Sequence, residues 1–156
     1  MRRSSLNPNS VQGLANLGQC KLATGSIDEA IALQKQVIRL SPRDPFNGNR
    51  YFTIGSAHLL QSRTDEAIVW LEKGRNLSPR VAFTHASLAA AYALKGETER
   101  AAAALAEARR LSPDDRYWSI ARLKADRWFS NSALKVPALC KTTYFAGLRK
   151  IGMPEE

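Results

Sequence analysis

A recurring tripeptide constrains the fold of this 156-residue chain more than any other feature. It consists of a leucine, a small polar residue and a proline, and it occurs at Leu6-Asn7-Pro8, Leu40-Ser41-Pro42, Leu77-Ser78-Pro79 and Leu111-Ser112-Pro113. Its prolines are 34, 37 and 34 residues apart. A fixed period of about 20–50 residues is typical of stacked repeats, and about 34 residues is the length of one helix-turn-helix unit. The spacing therefore predicts an all-α stack of helix pairs.

Equivalent positions in the three periods carry similar residues. An apolar stripe at helical spacing marks a first helix in each period, and a pair of acidic residues opens the second helix, next to its positive N-terminal end. Small residues recur at Ala30, Ala67 and Ala101, where antiparallel helices can approach closely. We therefore expect helix pairs at 11–24 with 27–40, at 45–61 with 64–77, and at 82–95 with 98–111.

Over residues 11–115, these columns resemble tetratricopeptide repeats, most specifically in the second and third periods. The resemblance implies a right-handed α-solenoid of helix-turn-helix repeats with C-terminal capping helices, whose first helices line a concave face. The first repeat departs from the family pattern at Lys21, Gln34 and Val37, where the family has an aromatic, an apolar and a small residue. We therefore expect looser packing in the first repeat.

The repeats divide the chain into segments. We interpret residues 1–10 as the frayed remnant of a preceding repeat, either because the chain is cut from a longer protein or because it starts inside a decaying repeat. Three repeats follow at 11–44, 45–81 and 82–115, then a capping helix at 116–128 and a C-terminal helix and tail at 129–156. The last helix is expected to begin near Pro137 and to stop at Gly152.

The apolar residues of the last helix need a surface to pack against, and the sequence allows two alternatives. The helix can fold back beside the 116–128 helix, so that Trp118 or Trp128 packs against Tyr144 or Phe145. Alternatively, it can dock on a second copy and form a homodimer.

The tail provides a second resemblance. Residues 145–155, together with 40–45, resemble the C-terminal tetratricopeptide regions of bacterial adenylate or guanylate cyclases and of winged-helix regulators. The resemblance implies a regulatory or sensory module. No cyclase or winged-helix sequence is present here, so their chemistry is not carried over to any residue.

Composition narrows the function classes. The net charge of +9 suggests nucleic acid, but the 23 basic residues are spread along the chain and many end helices, so we do not expect a nucleic-acid partner. No apolar run is long enough to span a membrane. Cys20 and Cys140 have no metal-ligand companions and predict free thiols in a cytoplasmic protein.

No catalytic, cofactor or metal site is predicted, because His58 and His85 fall in core columns without nearby partners. The prediction is non-catalytic protein–protein interaction through the concave groove, where a peptide or helix would bind. Its neutral lining is predicted to be Gln12, Asn16, Gln19, Asn49, Phe52, Thr53, Ser56, Phe83 and Ser87. Since these slots hold no Lys or Arg, we do not expect the acidic C-terminal peptides of chaperones as partners.

Overall fold

The computed structural model describes residues 8–125 and 136–156. The predicted remnant before Pro8, Trp128 with the end of the predicted cap, and most of the following connector lie outside the described residues. The helices are α1 Pro8–Ala23, α2 Ile27–Leu40, α3 Asn47–Leu60, α4 Thr64–Leu77, α5 Ala82–Lys95, α6 Thr98–Leu111, a 3-10 turn at Arg116–Trp118, α7 Ile120–Lys124, α8 Val136–Thr142 and α9 Tyr144–Lys150. Across both described ranges there is no strand, and the all-α prediction is confirmed.

The six long helices form three pairs in an α-solenoid. α1 packs on α2, α3 on α4 and α5 on α6, and contacts of α2 with α3 and of α4 with α5 join the pairs. Among the first helices, α3 also touches α1 and α5, and the three form the inner layer. α1 begins at Pro8, earlier than the predicted start at residue 11, and proline is favoured at a first helical position.

Small residues create the seams between these helices. Ala30, Ala67 and Ala101 are fully buried. In the second repeat, a Cβ placed on Gly55 would lie 2.6 Å from Cγ of Leu71, so α3 and α4 are in close contact where the sequence predicts it.

The expectation of looser packing in the first repeat is wrong at Gln34 and Val37. Val37 is fully buried and Gln34 is 1% exposed. Gln34 fills the space beside Gly18, as Leu71 does beside Gly55, and its Nε2 donates to the carbonyl of Ala15 at 3.0 Å. The amide thus keeps the volume of an apolar residue and bonds the facing helix.

The spacing of 37 rather than 34 residues between Pro42 and Pro79 leaves three extra residues after Pro42. They form a turn rather than the start of a helix. The sequence predicts a start near Pro45, but α3 begins at Asn47. Asp44 holds this turn, because its Oδ1 accepts from the backbone N–H of Phe46 at 2.9 Å and its Oδ2 lies 3.4 Å from Nη1 of Arg50.

The predicted helix over 116–128 is interrupted within its described part. Ser119 has an extended backbone, and its hydroxyl accepts from the backbone N–H of Arg122 at 3.1 Å, which caps a new helix, α7. Arg109 holds the preceding 3-10 turn against α6 through a bond from Nε to the Tyr117 carbonyl at 3.0 Å. Trp118 remains half exposed, with the Arg109 guanidinium 4.1 Å from its ring centroid.

The C-terminal segment folds back on its own chain. Thr143 breaks the predicted helix into α8 and α9, and its Oγ1 donates to the Leu139 carbonyl at 2.8 Å. α9 crosses the inner helix α5, and the tail reaches α7, where the backbone N–H groups of Ile120 and Ala121 donate to the carbonyls of Pro154 and Glu155, each at 2.8 Å.

Candidate functional site

An open cavity of about 270 Å³ lies between the inner layer and the C-terminal part of the described chain. Helices α1, α3 and α5 supply one side of it, and residues of the 3-10 turn, α7, α8 and α9 supply the other. Among the described residues, its lining consists of Gln19, Leu22, Asn49, Phe52, Ser56, Leu59, Leu60, Phe83, Ser87, Arg116, Tyr117, Leu123, Cys140 and Tyr144.

Six of the nine residues predicted for the groove lie together in this lining, namely Gln19, Asn49, Phe52, Ser56, Phe83 and Ser87. Helical spacing explains this, since residues three, four and seven positions apart share one face of a helix. The rings of Phe52 and Phe83 meet edge to face, with centroids 4.5 Å apart, and connect α3 to α5 at the cavity.

The other three predicted residues are not in this lining. Gln12 and Asn16 are exposed on α1, and Nε2 of Gln12 donates to Oδ1 of Asn16 at 2.8 Å. Thr53 is 1% exposed; its Oγ1 donates to the Asn49 carbonyl at 3.0 Å and accepts from Nε2 of Gln19 at 2.7 Å. Thr53 therefore orients Gln19.

The floor of the cavity is apolar. Leu22, Leu59 and Leu60 are buried within it. Ser56 adds a polar atom, because its Oγ is buried and has no hydrogen-bond partner among the described residues. At the rim, the exposed side chain of Asn49 is polar and uncharged.

The C-terminal wall was not predicted from the sequence. It contains Tyr117, Leu123, Cys140 and Tyr144, all buried, and Arg116. Burial raises the pKa of the Cys140 thiol to about 12, so this residue is neutral and contributes an apolar surface. Apolar residues in the last helix indicated a packing surface, but the repeat spacing gave no sign that they would close the groove.

Arg116 brings a basic side chain to the cavity from outside the repeats. Its Nη2 lies 2.8 Å from Oδ2 of Asp114, and the hydrogen bond from Arg116 holds the pKa of the Asp114 carboxyl well below its usual range. The cation is therefore already paired with a carboxylate.

A second cavity of about 200 Å³ adjoins the first and shares Asn49 and Phe83 with it. Its other lining residues are Pro45, Phe46, Gly48, Ser78, Val81 and Thr84. Phe46 is 69% exposed, so an apolar surface continues from the large cavity past Asn49 to the turn before α3.

The histidines are buried in the helix stack. Nε2 of His85 lies 2.8 Å from the carbonyl oxygen of Pro79, and burial lowers the pKa of His58. Within the described ranges, no group of three or more His, Cys, Asp or Glu side chains could hold a metal ion. None of the described helices is long and apolar enough to cross a membrane.

Comparison with known proteins identifies the repeat. Residues 11–44 match the tetratricopeptide repeat. The match falls on the first period, whereas the sequence columns had suggested the second and third periods as the more specific ones. A search of curated proteins finds no match to the chain.

Solved structures share the tetratricopeptide-type fold. A MamA mutant aligns with a TM-score of 0.60 and 27% identity over 72% of this chain and 81% of its own. The Yersinia enterocolitica type III secretion chaperone SycD, solved with a peptide of the translocator YopD, aligns with a TM-score of 0.62 and 15% identity over 87% of this chain and 93% of its own. A chain of the CopN–Scc3 complex aligns with a TM-score of 0.61 and 16% identity over 70% of this chain. This chain spans 62% of that protein's length.

Proposed function

We propose that this protein is a non-catalytic adaptor that binds a segment of a partner protein on the concave face of its repeats. The observation that carries the proposal is the convergence of six predicted groove residues on one cavity. The cavity combines an apolar floor with a neutral polar rim, a combination that suits a peptide. The rim amides of Gln19 and Asn49 each contain a donor and an acceptor for a peptide backbone.

Two of the similar folds support a protein partner. SycD was solved with a peptide of YopD, and the CopN–Scc3 structure is a complex. At 15% and 16% identity these likenesses support the fold, and the binding role for this chain is our inference. A finer alternative is a regulatory module of a nucleotide cyclase or transcriptional regulator, and only the resemblance of residues 145–155 and 40–45 favours it.

The test uses one variant at the centre of the site and one matched control. Asn49 lines both cavities and is exposed, so Asn49→Arg should fold and obstruct them. Asn76→Arg makes the same change at an exposed position of α4, outside the inner layer, that neither lining includes.

The full chain is screened against displayed linear 12-residue peptides, and the affinities of selected peptides are measured by fluorescence anisotropy. We expect Asn49→Arg to weaken binding at least about tenfold, as for a central interface residue, and Asn76→Arg to change it less than about twofold. Failure to select any peptide, or equal effects of the two variants, would refute the concave-face proposal.

A further inference from the structure

The concave face is only partly available to a partner. α9 crosses α5 so closely that Gly147 lies against the backbone of Ala90, and a Cβ at this glycine would be 2.8 Å from the Ala90 Cα. Ala86 and Ala90 are fully buried, although the sequence places them on the groove side of α5. This part of the third repeat is therefore occupied by the chain itself.

This occupancy limits the shape of a ligand. A helix with its side chains is about 10–12 Å across and would need the surface along α5 that α9 already covers. Phe145 and Leu148 of α9 are 2% and 0% exposed and belong to the main hydrophobic core, so α9 packs as part of this face. Besides the exposed Gln12 and Asn16 of α1, the accessible part of this face runs from the cavity past Asn49 to Phe46.

The size of the cavity limits what enters it. Its volume is about 270 Å³, and an apolar cavity of about 150 Å³ holds a benzene molecule. One large side chain fits, with room for part of a backbone. The buried, unpartnered Oγ of Ser56 in the same lining can bond a backbone amide next to such a side chain.

We infer that the site takes a peptide in an extended conformation and that one bulky apolar side chain of this peptide, leucine, methionine or phenylalanine, fills the cavity. The C-terminal wall, with Leu123, Cys140 and Tyr144, turns the groove into this pocket. The peptide continues past Asn49 and lies on Phe46. The inference rests on the proposed function and names the chemistry of its ligand.

Two variants of the protein test the pocket, each with a matched control. Ser56→Leu fills the cavity, whereas Ala103→Leu adds the same side chain to an exposed position of α6. Phe46→Ala removes an exposed ring from the second cavity, and Leu77→Ala truncates a 49%-exposed leucine of α4 that neither cavity includes. Because Phe46 is 69% exposed, Phe46→Ala should leave the protein folded. It therefore tests the site even if Ser56→Leu unfolds the protein.

The probes are the 12-residue peptides selected on the full chain, each made also with its largest apolar residue changed to alanine. We expect the alanine peptides and Ser56→Leu each to lose at least about tenfold in affinity, Phe46→Ala to lose about threefold or more, and both controls to stay within about twofold. One outcome separates the two proposals: peptides bind and Asn49→Arg weakens their binding, but neither the alanine change in the peptide nor Ser56→Leu weakens it. In that case the pocket inference is refuted and the adaptor proposal stands. If no peptide binds, both are refuted.

Discussion

Gly147 is the residue at which the C-terminal segment meets the repeats. A Cβ at this position would lie 2.8 Å from both the carbonyl carbon and the Cα of Ala90. Both neighbours are backbone atoms, so no change of rotamer can make room. The contact shows that α9 and α5 approach backbone to backbone, as only a glycine on one side allows.

Gly147→Ala should therefore destabilise the protein by about 1–3 kcal/mol, the usual cost of overpacking. Gly13→Ala is the control, because a Cβ there meets no described atom within 4 Å. It should stabilise α1 by up to about 1 kcal/mol through helix propensity. Urea unfolding monitored by circular dichroism measures both, and equal effects would show that α9 does not lie against Ala90.

Ser62 occupies a turn position that the other repeats give to glycine. Its φ is 62°, against 89° for Gly25 and 90° for Gly96 at the equivalent turns. A left-handed conformation costs an L-residue roughly 1–2 kcal/mol, and glycine avoids that cost but gains freedom in the unfolded chain. We expect Ser62→Gly to stabilise the protein by about 0.5–1 kcal/mol and Gly25→Ser to destabilise it. Thermal unfolding would contradict this if both variants shifted the midpoint in the same direction.

His58 links stability to pH. It is 6% exposed, and burial lowers its pKa; Glu66 and Asp28 oppose the shift, while Arg63 and Lys35 add to it. Because the folded pKa lies below the ordinary 6.5, the unfolded chain binds the proton more tightly. The contribution of the neutral His58 ring to the free energy of unfolding is thus complete above pH 6.5 and is lost as the pH falls towards the folded pKa.

Between pH 7 and pH 5.5, the free energy of unfolding should fall with a slope of at most about 1.4 kcal/mol per pH unit from this group. His58→Gln should flatten that slope. Urea unfolding at several pH values tests it, and identical slopes for the two proteins would exclude His58 as the source.

At the scale of elements, the six repeat helices could be predicted because local rules fix them. Prolines end the periods, acidic residues open the second helices, and buried alanines mark the seams, so the observed boundaries lie within three residues of the expected ones. The inner face of α3 follows from helical spacing in the same way. This is why Asn49, Phe52 and Ser56 were assigned to the groove before their surroundings were known.

The C-terminal wall of the site depends on tertiary contacts that have no periodic signal. Ser119 interrupts the predicted cap and caps α7 with its hydroxyl, and Thr143 interrupts the last helix with a non-helical backbone and a side-chain bond to Leu139. Both are single polar residues in helix-like sequence. The crossing of α9 over α5 depends on Gly147, one glycine that looks like any other in the sequence. The groove was therefore predicted open, and the structure has it partly filled.

The tail after α9 anchors this arrangement. The carbonyls of Pro154 and Glu155 accept from the first N–H groups of α7, and Met153 is 3% exposed. Gly152, with a φ of 89°, ends α9 and turns the chain towards α7.

A chain that stops after Gly152 should lose about 2.5–6 kcal/mol, because two hydrogen bonds contribute about 0.5–1.5 kcal/mol each and a buried Met about 1.5–3 kcal/mol. Glu155→Ala keeps the backbone and removes only the ion pair with Arg149, which is exposed to solvent, so it should cost much less than the truncation. Chemical denaturation compares them. The same loss in both proteins would mean that the tail acts through its charge alone.

At the scale of the whole molecule, the positive charge is partly a property of the helices. Lys21, Arg39, Arg75, Lys95 and Arg109 lie in last turns, where a cation interacts favourably with the helix C-terminus. Some are also paired, such as Lys95 with Asp65 at 3.0 Å. These positions explain basic residues without a polyanion partner.

The repeats and the C-terminal segment share one hydrophobic core. Phe145, Leu148 and Met153 belong to the same buried cluster as Leu88 and Ala90 of α5.

Removing residues 133–156 would expose the alanine-rich inner face of α5, and a large exposed apolar patch favours association. We expect the full chain to be a monomer and the shortened chain to aggregate or to lose cooperative unfolding, as measured by light scattering and circular dichroism. Leu148→Asp should have the same effect without shortening the chain, because it places a charge at a fully buried site. A soluble, cooperatively folded monomer after the deletion would refute the shared core, and conversion of a dimeric parent into a folded monomer would place the segment between two copies instead.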